Sequence, residues 1–265
     1  MKDKTIPPSQ RRKRGFTLVE LLVVISIIAI LAGIATPAAV NAIRHAERVE
    51  GLSNLRNIKG ALDLFAADFE GEYPNDSTES QLTNLLRDDD TPKSDPRRLE
   101  GKWKLDSSRL SEKRSQSLAV KRTANHYLQQ LMEQGLENEE LLYHNAFRST
   151  FRLQRPNNDA QVQRGENVWG YTRNLSRTSS GHIPLIFDCP VKTGESPTFS
   201  KRTWNKKILV ARMDGSTKSI PIGGSDRMSG PVRATIRGRN INLFSQEALE
   251  EGTLIPADLE HLDRN

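Results

Sequence analysis

Residues 11–40 read RRKRGFTLVELLVVISIIAILAGIATPAAV, and their reading decides the fold. Four basic residues, Arg11 to Arg14, end at Gly15. From Phe16 to Val40 the only formal charge is Glu20, and between Leu21 and Ala35 nothing is more polar than Ser26. Phe16 to Ala35 supplies about the 20 residues that a helix needs to cross a bilayer. The apolar residues fall on every face, so the pattern is that of a spanning helix and not of an amphipathic surface helix. The basic cluster before it predicts a cytoplasmic amino terminus, with the rest of the chain across the membrane. A secretory signal cut near Ala38-Ala39-Val40 is the competing reading. The length of the apolar run, the acid near its start and the helix-forming sequence that follows all weigh against it.

The same leader explains the charge of the chain. The formal net charge is +6, but residues 1–15 carry six basic residues against Asp3. Without them the remainder is +1, so there is no global argument for a polyanion, and no nucleic acid is expected as a partner. Charge is segregated inside the chain. Residues 47–90 hold 11 acids and 4 basic residues, and residues 93–122 hold 10 basic residues and 4 acids. These two stretches could face each other within one molecule or across neighbouring ones. The single cysteine, Cys189, excludes an intramolecular disulfide and a four-cysteine zinc site. Its apolar flanks predict burial.

Past Pro37 the spacing changes to three and four: Val40, Ile43, Val49, Leu52, Leu55, Ile58, Leu62, Phe65 and Phe69. This predicts an amphipathic helix from about Asn41 to Asp68 that continues the apolar one, with a kink at Pro37 and a stop at EGEYP (70–74). Residues 118–142 read as helix broken at Gly135, and DDD (88–90) as a solvated turn. No calcium loop is complete, and His126 and His144 read as surface or edge histidines. Strand-like runs follow at VWGYT (168–172), HIPLIF (182–187), KKILVARM (206–213) and STKSIP (216–221). Asp214-Gly215 between the last two signals a tight hairpin, while Pro184 and Pro221 suit strand ends or edges. Ser245 to Glu251 and Pro256 to Leu262 read as short helical turns, the first capped by Ser245. Asp188 and Asp214 lie near strand ends and could converge, but turn formation is the simpler role. The nucleophile-elbow, phosphate-loop and paired-histidine zinc signatures are missing from the sequence, so neither catalysis nor a cofactor or metal is expected.

RRKRGFTLVELLVV resembles the signal of type IV prepilins and of type II secretion pseudopilins, contiguously over residues 11–37. NLRNIK (54–59) and GEYP (71–74) extend the likeness to about residue 75. The resemblance implies an α+β, pilin-like fold, with the long amino-terminal helix packed on a carboxy-terminal antiparallel sheet. It implies a subunit of a type IV pilus-like or pseudopilus assembly for protein transport. A prepilin peptidase/methyltransferase would cut between Gly15 and Phe16 and methylate the new amino group of Phe16. Glu20 would guide insertion among other pilin-like subunits at an inner-membrane assembly platform, and Pro37 would kink the helix. The soluble part would be periplasmic. NVWGY (167–171), IPLIFD (183–188) and ILVARMDGS (208–216) resemble large prepilin-like proteins abundant in the planctomycete and verrucomicrobial lineages. The expected organisation is a leader at 1–15, a transmembrane helix at 16–36, a stalk helix at 37–70, a charged loop and short-helix region at 71–150, an antiparallel β region at 151–239, and a tail with short helices at 240–265. A membrane-tethered extracytoplasmic binding module that does not polymerise is the alternative.

Overall fold

A computed structural model describes residues 16–87 and 123–262. The expected leader at 1–15, the DDD turn at 88–90 and the basic stretch at 93–122 lie outside them. The chain divides into two units after Ala46, while one helix, α1 (Leu18–Asp68), runs through that boundary.

In the larger unit the three-and-four spacing of α1 has its physical outcome. Leu55, Ile58, Leu62 and Phe65 are buried, as is Ala66. Each large apolar side chain removed from water contributes about 1.5–3 kcal/mol. They pack on one face of a five-stranded antiparallel sheet of order β10-β2-β3-β5-β6. Its members are β2 (Trp169–Arg173), β3 (Pro184–Asp188), β5 (Lys207–Arg212), β6 (Thr217–Pro221) and β10 (Thr253–Ile255). Gly51 lets the helix come close, since a Cβ there would lie 2.7 Å from Leu209 Cδ1.

Strand β5 shows why its sequence is an unbroken apolar run. Leu209 and Ala211 join the helix-side core, whereas Ile208 and Val210 join a second cluster with Phe187, Phe199, Val232 and Phe244. The sheet is thus covered on both faces, which removes the polar alternation of a half-exposed strand. The second face is covered by two small sheets, β4 (Phe199–Ser200) with β7 (Ser229–Gly230), and β8 (Arg233–Ile236) with β9 (Arg239–Asn242). α+β architecture with a long amino-terminal helix and a carboxy-terminal antiparallel sheet is the observed fold.

Helix α2 (Asp76–Arg87) lies in the region expected to hold charged loop and short helices. Its start is a reciprocal cap: Thr78 N donates to Asn75 Oδ1 at 2.9 Å, and Asn75 N donates to Thr78 Oγ1 at 2.8 Å. Asn75→Ala is expected to cost about 1 kcal/mol in a denaturant titration, because Ser77 N also donates to that oxygen. Of the stretch read as helix over 118–142 with a break at Gly135, residues 118–122 lie outside the described ones, and the rest holds α3 (Ala124–Glu133) before Gly135 and a 3₁₀ turn at Glu139–Leu142 after it.

Of the two short helical turns expected in the tail, the described residues show one, α4 (Gln246–Leu249). Thr253–Ile255 becomes the edge strand β10 beside β2, and β11 (Glu260–His261) pairs with β1 (Phe151–Arg152). The antiparallel region therefore reaches past residue 239 to the end of the described chain. The helical turn expected over 256–262 does not form: Glu260 and His261 pair with β1, while the carbonyls of Pro256 and Asp258 accept from Ala124 N and Gly165 N.

The Asp214-Gly215 hairpin also departs from its reading, since it is not a two-residue tight turn. Arg212 N donates to Ser216 O at 2.9 Å and Gly215 N to Arg212 O at 3.1 Å, so the loop is Met213, Asp214 and Gly215. Gly215 alone of the three has positive φ, +80°. That is the three-residue hairpin with a left-handed glycine. Pro184 begins β3, which is a central strand, and the ladder is irregular between Pro184 and Ile186. Pro221 ends the edge strand β6.

Candidate functional site

The amino-terminal part of α1 forms a chemical site at its first turn. Phe16 is the first described residue and is exposed, while Gly15 lies outside the described residues. Thr17-Leu-Val-Glu20 is a capping box. Thr17 N donates to Glu20 Oε2 at 2.9 Å and Thr17 Oγ1 donates to the same oxygen at 2.7 Å. In return Glu20 N donates to Thr17 Oγ1 at 3.2 Å. Two backbone donors that every helix start leaves open are thereby satisfied. The one acid of the apolar run is held at the positive end of the helix dipole. Thr17 escaped the sequence reading, although its signal is plain: threonine three residues before glutamate at the head of an apolar run.

Between this turn and Pro37 the helix has no polar side chain that water must meet. Ser26 Oγ donates to Leu22 O at 2.7 Å and Thr36 Oγ1 to Ala32 O at 2.6 Å. Hydroxyls that return to the helix backbone are compatible with hydrocarbon. The large apolar residues from Leu18 to Ile34 are all exposed. An unbroken apolar surface on all sides of a helix this long marks a lipid or protein contact, not a water-facing one. Among the described residues, one helix is long and apolar enough to cross a membrane. It stays helical through Pro37. Pro37 has no N–H, so the carbonyl of Gly33 loses its usual partner four residues on.

The other residues singled out from the sequence sit elsewhere. Asp214 Oδ1 accepts from Ser216 N at 2.8 Å and fixes the hairpin. Asp188 is buried at the opposite end of β3 from Pro184, which pairs with Arg212 beside Asp214. The two aspartates are thus a strand length apart, about 15 Å, and do not converge. Cys189 is buried, and burial pushes its thiol up to about 12. A thiol held protonated in this way is a poor nucleophile. Among the described residues no group of three acids, histidines or cysteines is placed to hold a metal ion.

His144 differs from its reading as a surface or edge histidine. It is 4% exposed and its ring meets the edge of Trp204 at 4.7 Å between centroids. It lines a cleft of about 230 Å³ with Glu47, Glu50 and Asn54 of α1 and with Glu140 and Arg155. His126 pairs with Glu79 at 2.9 Å.

No curated protein and no solved structure matches the chain. Residues 10–36 match the family described as the prokaryotic N-terminal methylation motif, and this match, lying on the exposed apolar helix headed by Thr17 and Glu20, supports a prepilin-like protein.

Proposed function

We propose that the chain is a structural subunit of a type IV pilus-like or type II secretion pseudopilus assembly. A prepilin peptidase cuts between Gly15 and Phe16, and the new amino group of Phe16 is methylated. Helix α1 then anchors the protein in the bacterial inner membrane, with the leader side cytoplasmic and the sheet periplasmic. Assembly moves the apolar helix from lipid into a bundle of like helices, with Gly33 offering close approach. The observation that carries this reading is the coincidence of the methylation motif at residues 10–36 with the exposed apolar helix. An ordinary anchor has no need of an acid in its first turns, since a carboxylate in lipid is costly unless paired. The capping box gives that acid a local partner in the single subunit. A neighbour's methylated amino terminus would be a charged partner in the filament.

The test is the intact mass and amino-terminal peptide of the membrane-extracted protein. Methylated Phe16 is the expected start. A start near Val40, or uncut Met1 beside a working peptidase, overturns the processing claim. Glu20→Ala should leave cleavage intact and reduce multimers on mild extraction by about tenfold or more, the loss of one charge pair in a low-dielectric site. Undiminished multimers with cleavage retained would favour the tethered, non-polymerising binding module.

A further inference from the structure

The cleft beside His144 has features that the anchoring helix does not explain. Ala146 N donates to His144 Nδ1 at 3.1 Å. Burial lowers the affinity of this ring for a second proton, against the opposing pull of Glu50 and Glu47. A neutral ring that accepts at Nδ1 must carry its hydrogen on Nε2. That donor is buried and makes no hydrogen bond of full geometry, the Glu47 carbonyl acting on the ring from α1. Glu50 Oε2 stands 3.7 Å away on a side chain that is 68% exposed, too far for a hydrogen bond.

The acids around it are also incompletely matched. Glu140 has Arg155 at 3.5 Å. Glu47 and Glu50, one helical turn apart on α1, have no lysine or arginine partner among the described residues. A cation seated between them would draw Glu50 inward. One carboxylate oxygen would then accept from the cation and the other from His144 Nε2–H, since an ionised carboxylate offers about four lone-pair sites. The single subunit lacks the countercharge that would make this inward position favourable.

The same unit carries the complementary charge. Residues 192–239 hold eleven basic residues and three acids, a net of +8. Some of these are used internally: Arg237 pairs with Glu250, Arg239 with Glu247, and Lys201 binds the carbonyls of Gly224 and Asp226. Arg202, Arg227 and Arg233 are exposed and have no acidic partner among the described residues. A planar guanidinium suits two carboxylates on one helix face better than an ammonium does.

We infer that the cleft formed by Glu47, Glu50 and His144 is a socket for an arginine from the 192–239 region of a second copy of this chain. The contact joins two different patches, so its repetition can build the open, head-to-tail array that a filament requires. This rests on the proposed filament function and names one of its lateral contacts.

The test uses the full-length, processed protein extracted from membranes in mild detergent. Glu50→Arg is expected to lower multimer yield about tenfold while leaving the melting temperature of the sheet unit unchanged, because Glu50 is exposed. One of Arg202→Glu, Arg227→Glu and Arg233→Glu should do the same, and combining it with Glu50→Arg should restore multimers to within about threefold of wild type. Glu50→Cys in one copy and the matching arginine→Cys in a second, produced together as separate chains with one added cysteine each, should then trap a disulfide species of twice the chain mass, Cys189 being buried. Unchanged multimers in Glu50→Arg and Glu47→Arg, or a trapped species of any other mass, would overturn the socket. If Glu20→Ala still abolishes multimers in that case, the filament reading survives alone. A wild-type protein that is processed but forms no multimers sinks both.

Discussion

Asp188→Ala is expected to lower the stability of the sheet unit by about 3–5 kcal/mol, and Asp188→Asn to lower it hardly at all. Asp188 ends β3 and is 3% exposed. Its Oδ2 accepts from Trp204 Nε1 at 2.7 Å and from Leu209 N at 3.1 Å. It therefore ties β3 to the start of β5 and holds the indole that packs on His144 and approaches Gly51. Alanine would leave two buried donors without an acceptor and a small void beside them. Its other oxygen, Oδ1, has no partner. Burial raises the carboxyl well above its ordinary range, and the two N–H donors only partly oppose that.

Burial thus pulls Asp188 towards its protonated form, and its sign of linkage is opposite to that of a salt-bridged aspartate. The group favours the folded state fully below the unfolded value of about 3.9. That contribution is lost as pH rises from there towards the raised folded value. Asparagine has the shape of the protonated carboxyl and keeps an acceptor for Trp204 and Leu209. It should match wild type in acid and exceed it in alkali, where wild type must hold a proton or bury a charge. Denaturant titrations of the three proteins between pH 4 and pH 9 decide the matter. An asparagine variant as unstable as the alanine one would mean that the carboxylate is ionised and that its charge is needed.

This site also shows where sequence was informative and where it was not. The stripe of α1 could be read because each turn of a long helix repeats the same demand, and Leu55, Ile58, Leu62 and Phe65 answer it by burial. The apolar run of β5 could be read as strand, but its two-sided burial could not, since the elements covering the second face are strands of two to four residues. Strands so short have no period of their own. β10 has no signal in the sequence and β11 falls in a stretch that reads as a helical turn for that reason, because pairing with β2 and β1 is a long-range event with no local trace. Helix α2 was hidden because the partner of its cap is Thr78 and not a glutamate or glutamine. The amino-terminal site was more legible than any of these. Its meaning lies in contiguous sequence: a basic run, Gly15, Phe16, and an acid inside an apolar helix. The cleft at His144 joins α1 to residues 138–155 and had no contiguous signature at all.

Gly170 and Phe187 provide the second large effect, and its size depends on the pair. They face each other across the β2–β3 ladder. A Cβ on Gly170 would lie 2.5 Å from Phe187 Cε2 and 3.1 Å from two more ring atoms. The ring covers the glycine backbone, as aromatic residues do when they compensate for a strand glycine. It has no freedom to swing aside, being fully buried against Phe244 at 4.7 Å and Phe199 at 6.4 Å between centroids. Gly170→Ala should therefore destabilise by about 1–3 kcal/mol through overpacking, despite the better strand propensity of alanine. Phe187→Leu should cost a similar amount through lost volume in the second core. In the Phe187→Leu background, however, the ring that blocks the methyl group is gone, and Gly170→Ala should then be neutral or mildly stabilising. The double-mutant cycle should give a coupling of at least about 1 kcal/mol, well outside the additivity expected of independent sites. Additive costs would mean that the glycine is required for its backbone and not for the ring above it.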